Sequence, residues 1–397
     1  MQIKNKSISF VGVMLTDPSF RRFIIFCIIS AIIWFIPLYN VYVYLFLNNY
    51  RHHLTVHHKI YEYLTNGILI ITFYFMFRQK NIGGTVKDVL KNKNKLRGKV
   101  VIITGGYKGI GLAAVIEYVK YGCEIILACR CSKRMEELRK DLLSKYPDAK
   151  INSVQLDLSS YESIEKCANN ILKKFPKIDI IVNNAGTLNQ TLEYINGLEY
   201  TFFVNYFGHF YLIHLLYKRI LACDTLIINM SSIAHAMLND KDVKYDFIFE
   251  RKSKTDTNSN LLYRREYNFS KLCMLYYTQQ LQIRLEKEST KACTVSINPG
   301  LVKTDLFRNE QCWFRSLCKN VLFVKTPLQG AQSILYVSLL NRDQLAKGSY
   351  YSDCKTDYVR SYAKDLKKSE VIIIYIYIYI YIYIYIFIYL FIFISYK

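Results

Sequence analysis

The sequence predicts an α/β fold in which a parallel sheet is covered by helices on both faces. From residue 100 onward, short apolar runs alternate with longer amphipathic segments, which is the pattern of repeated strand–helix–strand units. A glycine-rich turn follows the first apolar run, and polar residues follow the later runs where the predicted strands end. The chain has 397 residues, enough for one such domain and additional segments.

The predicted strands are short runs rich in valine, isoleucine and leucine, as is typical of strands buried on both faces. They cover residues 100–103, 124–128, 151–156, 179–182, 225–230 and 293–297. Helical patterns between them cover residues 112–122, 133–146, 161–175, 198–221 and 263–287. A closing helix at 336–340 and a last strand at 348–351 complete the predicted sheet.

The first strand and its turn, Val100–Gly111, have the sequence VVIITGGYKGIG. Glycines in such a turn let the backbone approach a pyrophosphate and let the helix pack closely on the strand. The helix N-terminus then offers unpaired N–H groups and a positive dipole end to phosphates. The pattern indicates a dinucleotide site, with an ordinary strand-to-helix turn as the alternative. Its candidate residues are Thr104, Gly105, Lys108, Gly109, Ile110 and Gly111.

Further polar motifs follow the later strands. Residues 183–186 (NNAG) follow the fourth strand, and Asn205 lies in the helix after it. Tyr267 and Lys271 are four residues apart, so they share one helix face. The remaining candidates are Ser231 and Ser232 after the fifth strand, and Asn298, Pro299, Gly300, Val302 and Thr304 after the sixth.

In this order, the motifs resemble those of the short-chain dehydrogenases/reductases over roughly residues 97–360. The resemblance implies a Rossmann-type doubly wound sheet and a dinucleotide cofactor. The segments VNYFGHF, NMSSIAH and YNFSKL are similar to the retinol-dehydrogenase-like subgroup. The segments LVKTDLFRN and VLFVKTPLQGAQSILYVSL also resemble a membrane-associated relative assigned to polyprenol oxidation.

The resemblance implies four catalytic residues. Tyr267 would be the general acid/base, and Ser232 would hold the substrate oxygen, with Ser231 as the alternative. Lys271 would bind the nicotinamide ribose, and Asn205 would order a water that relays protons from it. The pKa of free tyrosine, about 10, is too high for a base at neutral pH, so a lysine one turn away is expected to lower it.

The cations near the cofactor loop favour NADP(H), with NAD(H) as the second choice. Arg130 ends the second strand, where a carboxylate would favour NAD, and Lys133 and Arg134 follow it. Together with Lys108, these groups suit a ribose 2′-phosphate. Asp157 resembles the family residue that faces the adenine. The resemblance implies further cofactor contacts at Leu158, Asn184, Ala185, Gly186, Tyr267, Lys271, Pro299, Gly300, Val302 and Thr304.

The N-terminal region predicts a membrane anchor. A basic segment, 1–22, precedes residues 23–47, which carry no charge and are long enough to span a bilayer. Residues 60–77 carry only Glu62 and either span or lie at the interface, and 78–99 form a basic linker. The flanking cations place the catalytic domain, residues 100–365, on the cytosolic side of the endoplasmic reticulum membrane.

Three other segments remain open from the sequence. Residues 238–262 form an insert, which is a surface excursion or a lid. The stretch 309–324 and a helix at 327–340 are predicted to line the substrate side. The low-complexity tail at 371–394 repeats Tyr-Ile and suits a strand or a membrane span. We favour a third interpretation, translation of a two-base repeat past the end of the gene.

Composition excludes some classes of function. The net charge of +22 comes from scattered Lys and Arg without a recognition motif, which favours contact with membrane lipids over nucleic acid. The eleven cysteines form no CxxC pair, so neither a disulfide framework nor a zinc site is predicted. The histidines at 52, 53, 57 and 58 lack acidic or cysteine partners and are interpreted as solvated loop residues, and no metal site is predicted.

The sequence therefore predicts a membrane-anchored, NADP-preferring oxidoreductase for a lipophilic alcohol and its aldehyde or ketone. A retinoid is the first substrate class, and a polyprenol or a steroid is the alternative. A non-catalytic NADPH-binding membrane scaffold is the alternative of another class. The sequence does not determine the oligomeric state. The resemblance implies that a homodimer would pair through the helices at 198–221 and 263–287, which members of this family commonly use.

Overall fold

The computed structural model describes residues 94–188, 193–195, 197–238, 265–307 and 325–378. The strands within these ranges are β1 (Val100–Thr104), β2 (Glu124–Cys129), β3 (Lys150–Gln155), β4 (Ile180–Asn183), β5 (Tyr194–Ile195), β6 (Leu198–Glu199), β7 (Leu226–Met230), β8 (Cys293–Asn298), β9 (Tyr350–Ser352) and β10 (Lys355–Thr356). The helices are α1 (Gly109–Lys120), α2 (Ser132–Lys145), α3 (Tyr161–Lys174), α4 (Gly208–Ala222), α5 (Arg265–Lys287), α6 (Pro327–Leu339) and α7 (366–378).

Eight of these strands form one sheet, in the order β10-β9-β8-β7-β4-β1-β2-β3. Every neighbouring pair is parallel except β9 with the short edge strand β10. The chain runs outward from β1 to β3 and then returns to place β4 on the other side of β1. The carboxyl ends of β1 and β4 therefore flank the point where the strand order reverses, which is where such sheets bind ligands. The predicted Rossmann-type sheet is confirmed.

Successive side chains of the strands point to opposite faces of the sheet and belong to two separate hydrophobic cores. Ile102 belongs to a core on one face, which includes buried side chains of α3, α4 and α5. Val101 and Ile103 belong to a core on the other face, together with side chains of α1, α2 and α6. All three are fully buried. Both faces are thus covered, which explains why the strands are continuous apolar runs instead of alternating ones.

The predicted helix at 198–221 is wrong at its start. Leu198–Glu199 pairs as a strand with Tyr194–Ile195, a short turn covers Tyr200–Phe202, and a π-helix covers Phe203–Phe207 before α4 begins. The carboxylate of Glu199 accepts a hydrogen bond of 2.7 Å from the Phe202 N–H. This cap starts the helical segment at residue 200, a boundary that the uninterrupted apolar pattern does not mark.

The closing elements agree with the prediction in type and differ in length. Helix α6 starts at Pro327, with Thr326 as its N-cap, so it is longer than the closing helix predicted at 336–340 and agrees with the helix predicted at 327–340. Residues 371–378, the start of the Tyr-Ile tail, are helical and belong to α7. Residues 1–93, most of the insert, 309–324 and the tail beyond 378 lie outside the described residues. Within the described ranges, none of the helices combines the length and the apolarity needed to cross a membrane.

Three buried titratable groups determine how stability should depend on pH. Burial lowers the pKa of His209 and of His235 to about 4, and it raises the pKa of Glu199 to about 7. Both histidines are neutral in the folded state, so their contribution to stability is lost as pH falls from about 6.5 toward 4. Glu199 acts in the opposite direction, because its folded state holds a proton that the unfolded state releases.

Between pH 4.5 and 6.5, unfolding therefore takes up protons at the two histidines and releases the proton of Glu199, and the lowered pKa of His214 adds to the uptake. We expect the free energy of unfolding to rise with pH in this window, because uptake exceeds release. In Glu199→Gln the amide oxygen can still accept the Phe202 N–H, and the rise should be steeper because the opposing proton is removed. Urea unfolding of the detergent-solubilised chain measures both slopes. Glu137→Gln, at an exposed position of α2, is the control, and equal slopes in all three proteins would contradict the prediction.

Candidate active site

The candidate catalytic side chains meet at the carboxyl ends of the central strands. Ser232 follows β7, and Tyr267 and Lys271 lie one turn apart on α5. Tyr267 and Lys271 are almost completely buried. The Lys271 ammonium lies 5.6 Å from the centre of the Tyr267 ring and donates a hydrogen bond of 2.9 Å to the Met230 carbonyl. The structure thus brings together three of the four predicted catalytic residues.

Burial dominates the electrostatics of this pair. It raises the pKa of Tyr267 to about 12, and a hydrogen bond with Ser232 acts in the opposite direction. It also lowers the pKa of Lys271 to about 8. The tyrosine pKa was expected to be lowered and is raised instead, because burial outweighs the hydrogen bond with Ser232. Both groups are therefore shifted toward their neutral forms.

The two serines after β7 have different surroundings. Ser231 is buried, and its hydroxyl donates a hydrogen bond of 2.8 Å to the Lys271 carbonyl, which ties β7 to α5. The Ser232 oxygen accepts the Ala234 N–H at 3.2 Å and also bonds the Tyr267 side chain. Ser232, the residue chosen from the family pattern, is therefore the one beside the phenol.

Asn205 lies in the π-helix and holds the loop that follows the NNAG motif. Its side-chain oxygen accepts the Thr187 N–H at 2.7 Å, and its side-chain nitrogen donates to the Thr187 carbonyl at 2.9 Å. A Cβ atom added to Gly186 would lie 3.4 Å from the Asn205 side-chain oxygen and 3.7 Å from the Lys271 ammonium. Asn205 and Lys271 thus face the same small space, which the absence of a side chain at Gly186 keeps open.

A buried histidine that sequence reasoning did not single out connects this region to the cofactor loop. His209 Nδ1 lies 3.0 Å from the Asn205 carbonyl, which only accepts, so Nδ1 carries the proton. Its Nε2 is then an acceptor, and the Thr104 hydroxyl donates to it at 2.9 Å. The Thr104 oxygen in turn accepts the N–H groups of Asn184 and Ala185, both at 2.9 Å. The only sequence signal was the position of His209, four residues after Asn205 on one helix face.

The glycine loop fits closely against the NNAG motif. Gly105 has φ +65°, and a Cβ atom there would lie 3.0 Å from Ala185 Cα. A Cβ atom at Gly111 would lie only 2.5 Å from the Asn184 side-chain nitrogen, which donates to the Thr104 carbonyl at 2.9 Å. Glycine is therefore required at both positions for the loop and the motif to approach each other.

The N-terminus of α1 is open to an anion. Its N-cap residue, Lys108, makes no side-chain cap, and its first turn holds no acidic residue. Thr304 covers the turn, with its methyl group 3.2 Å from where a Cβ of Gly109 would lie. Ile110 packs under the same region, 3.2 Å from where a Cβ of Gly330 would lie. Free N–H groups, a positive dipole end and a glycine-lined approach fit a pyrophosphate.

Cations surround this turn as predicted. Lys108 Nζ lies 3.6 Å from an oxygen of Asp305 and 5.7 Å from the centre of the Tyr107 ring. The Arg134 guanidinium lies 5.8 Å from the same ring, and Arg130 is exposed at the end of β2.

Other predicted cofactor residues have local structural partners. The Asp157 carboxylate accepts the N–H and the hydroxyl of Ser159, at 3.0 and 2.6 Å, and so shapes the turn before α3. The Leu158 carbonyl lies against Gly208, where an added Cβ would come within 2.5 Å. Both residues follow β3, but these contacts fix the backbone and show no specificity for an adenine.

The segment after β8 is held by a partly buried ion pair that the sequence did not indicate. Gly300, which follows Pro299, has φ +78° and donates its N–H to the Asn298 side chain at 3.0 Å. The Lys325 side chain packs against Gly300 and pairs with Asp353. A backbone bridge joins Val302 to Lys325. Lys325 and Asp353 are far from this loop in sequence, so no local pattern could have identified them.

The chain is similar to known proteins over most of its length. Residues 99–246 match the family model described as short chain dehydrogenase. Human retinol dehydrogenase 12 is 30% identical over 322 residues, 77% of this chain and 95% of that protein. The chloroplastic short-chain dehydrogenase TIC 32 B of Brassica napus is 30% identical over 272 residues, 66% of this chain and 83% of that protein. A solved short-chain type dehydrogenase/reductase from Mycobacterium marinum has a TM-score of 0.51 at 18% identity, covering 66% of this chain and 96% of that one.

The fold and the site define an NAD(P)-binding oxidoreductase that acts on alcohol groups, and the chain belongs to the short-chain dehydrogenase/reductase family. Within that family it is retinol-dehydrogenase-like, since retinol dehydrogenases 11, 12 and 13 are among its relatives at about 30% identity. The resemblance predicted from the motifs is confirmed.

The two hydrogen bonds of His209, to Thr104 and to the Asn205 carbonyl, form a bridge whose contribution can be tested by substitution. In His209→Leu the Thr104 hydroxyl and the Asn205 carbonyl lose the partner that now bonds both. Since an unsatisfied buried polar group costs roughly 1–3 kcal/mol, we expect the free energy of unfolding to fall by about 2–4 kcal/mol. The affinity for NADP(H) should fall too, because Thr104 positions the NNAG motif. His209→Gln, which keeps a donor and an acceptor, should recover part of both losses.

His214→Leu is the matched control, because His214 lies on the exposed side of the same helix. Urea unfolding and fluorescence titration with NADPH measure the two quantities. If His214→Leu lost as much stability as His209→Leu, the bridge would have no special role.

Proposed function

We propose that this chain is an NADP(H)-dependent oxidoreductase that interconverts a lipophilic alcohol and its aldehyde or ketone. The observation that carries the proposal is the placement of Ser232, Tyr267 and Lys271 together at the carboxyl ends of the strands. Beside them lies an uncapped helix N-terminus with a glycine-lined approach. This combination supplies a proton donor, a hydrogen bond for a substrate oxygen and a phosphate site within one crevice.

The phenol of Tyr267 transfers a proton to or from the substrate oxygen. In the direction of reduction, Tyr267 Oη donates its proton to the substrate oxygen, and the Ser232 hydroxyl holds that oxygen. A pKa raised to about 12 keeps the phenol protonated at neutral pH, so it is ready to act as the acid. In the direction of oxidation the phenolate accepts the proton of the alcohol. Bound NADP(H) supplies or accepts the hydride at its nicotinamide ring.

Lys271 supports the phenolate and restores its proton. Even with a pKa lowered to about 8, the ammonium is mostly protonated at pH 7, so it provides a positive charge beside the ring. The space next to Gly186 joins Lys271 to Asn205. A water held there would connect the ammonium to Asn205, which makes Asn205 the fourth member of the group. Lys271 would also bind the nicotinamide ribose.

The cofactor preference rests on charge. Lys108, Arg130 and Arg134 stand near the ends of β1 and β2, and the end of β2 offers a cation where NAD binding would favour a carboxylate. These groups favour the 2′-phosphate of NADP(H). Thr104, Gly105, Gly109, Gly111 and Thr304 would line the pyrophosphate.

The substrate class and the location rest on similarity and on the N-terminal sequence. Similarity to retinol dehydrogenases makes a retinoid the first candidate, and a polyprenol or a steroid is the second. The uncharged stretch 23–47 and the stretch 60–77 would anchor the chain in the endoplasmic reticulum membrane. A lipophilic substrate would then reach the cytosolic catalytic domain, which follows the linker at 78–99, from the bilayer itself.

Tyr267→Phe tests the proposed acid/base. Removing the hydroxyl should lower kcat for retinaldehyde reduction by NADPH at least 100-fold, because no other side chain replaces its proton transfer. NADPH affinity should change little. Tyr277→Phe is the matched control: Tyr277 is also a buried tyrosine of α5, and its variant should retain most of the activity. NADPH binding without turnover of any carbonyl by the wild type would favour the scaffold alternative instead.

Arg130→Ala tests the cofactor preference. If Arg130 contacts the 2′-phosphate, KM for NADPH should rise about ten-fold in the variant, which corresponds to roughly 1.4 kcal/mol of binding free energy. KM for NADH should stay unchanged. Lys140→Ala, at an exposed position of α2, should change neither value. An equal rise in KM for both cofactors would show that Arg130 does not contact the 2′-phosphate.

A further inference from the structure

Exposed apolar side chains are concentrated at the C-terminal end of the described chain. Across the described ranges, seven large apolar side chains are exposed, and six of them lie within residues 358–378. These six are Tyr358, Leu366, Val371, Ile374, Tyr375 and Ile378. Single exposed apolar residues are normal on a soluble surface, but a cluster of this kind marks an interaction site.

The segment that carries this cluster is firmly attached to the catalytic domain. Four side chains on one face of α5 bind it. Tyr276 donates to the Tyr362 carbonyl at 2.6 Å, and Gln279 donates to the Ala363 carbonyl at 3.0 Å. One turn further along α5, Gln280 donates to the Ser369 hydroxyl at 2.6 Å and Arg284 donates to the Tyr377 hydroxyl at 2.8 Å.

Helix α7 has two apolar stripes with different surroundings. Its inner stripe is buried and includes Ile372, Ile373 and Ile376, all part of the core that α4 and α5 share. The Tyr377 ring contacts Phe210 of α4 edge to face, with centroids 5.0 Å apart. The outer stripe consists of Val371, Ile374, Tyr375 and Ile378, at helical spacing and 39–49% exposed. One face thus fixes the helix to the domain and leaves the other turned outward.

The flanking sequence indicates what covers the outer stripe. Three lysines precede it, Lys364 and Lys367 exposed and Lys368 half-buried, and two carboxylates, Asp365 and the exposed Glu370, lie among them. After it, residues 379–394 carry no charge. A polar flank with an excess of cations, followed by an uncharged apolar sequence, matches a bilayer, whose anionic headgroups lie outside its acyl region. A second copy of the chain fits less well. A stable interface buries roughly 800 Å² per partner, from about 20–30 residues, and the outer stripe has only four side chains.

The geometry points to α7 as a membrane-docking element: its outer stripe lies in the headgroup–acyl boundary of an anionic lipid bilayer. The lysines within residues 364–368 contact the headgroups. This contact is separate from the N-terminal stretches 23–47 and 60–77, and it does not depend on the proposed activity. It would hold the α5 side of the catalytic domain against the membrane.

A local crosslinking experiment tests this contact in the full chain, where the N-terminal stretches alone would also bind vesicles. A photoreactive phenylalanine analogue replaces Ile374, and the protein is reconstituted into phosphatidylcholine vesicles with or without phosphatidylserine. The matched control carries the same analogue in place of Lys140, on the exposed face of α2. We expect lipid adducts at position 374 at least ten-fold above those at position 140. The double substitution Lys364→Gln and Lys367→Gln should lower the yield on anionic vesicles by about five-fold per lysine and leave the yield on neutral vesicles unchanged.

Three results would overturn the proposal. The first is a lipid yield at position 374 no higher than at position 140, in protein whose far-UV circular dichroism is that of the wild type. The second is a crosslinked dimer as the main product at position 374, which would assign the stripe to a second copy. The third is an intact mass of the natively expressed chain that ends before residue 371, since the outer stripe would then not exist.

Discussion

The hydroxyl of Thr104 is the interaction on which the rest of the site depends. It lies at the end of β1, accepts two backbone N–H groups from the NNAG motif and donates its proton to His209. His209 in turn donates a hydrogen bond to the Asn205 carbonyl and so fixes the position of the π-helix. One side chain thus joins the cofactor loop, the end of β4 and the π-helix. The two bonds of His209 are buried, so a change at His209 leaves a buried polar group without a partner.

The π-helix at Phe203–Phe207 explains how Asn205 reaches this network. Aromatic rings fix the backbone on its other side: Phe203 and Phe207 lie 4.8 Å apart, and both contact the Tyr161 ring edge to face. The helix then passes Leu158 at Gly208, where any side chain would collide with a carbonyl. A π-turn widens the helix at one point, and such turns are frequent at functional sites. Here it turns the Asn205 amide toward Thr187 and leaves its carbonyl to His209.

The parts of the molecule that the sequence predicted well are those set by local pattern. The β1 run is buried on both faces and could only be a central strand, and the Tyr267–Lys271 spacing placed both on one helix face. The start of the helix after β6 was missed, because Leu198–Glu199 pairs with a strand only four residues earlier and apolarity alone does not separate the two structures. The pair of Lys325 with Asp353 was missed for another reason: it joins segments that only the folded sheet brings together. The direction of the Tyr267 pKa was missed because it depends on the burial of the phenol, which only the folded structure determines.

The placement of α7 bears on how subunits can associate. The resemblance implies pairing of subunits through the segments that form α4 and α5, and α7 covers one face of α5 and contacts α4. Pairing through that face would require α7 to leave, which would expose Ile372, Ile373 and Ile376 and break the bonds from Gln280 and Arg284. Burying three isoleucine side chains is worth several kcal/mol, at about 1.5–3 kcal/mol each. A dimer of this chain must therefore use another face of α4 and α5, or offset this cost with its own interface.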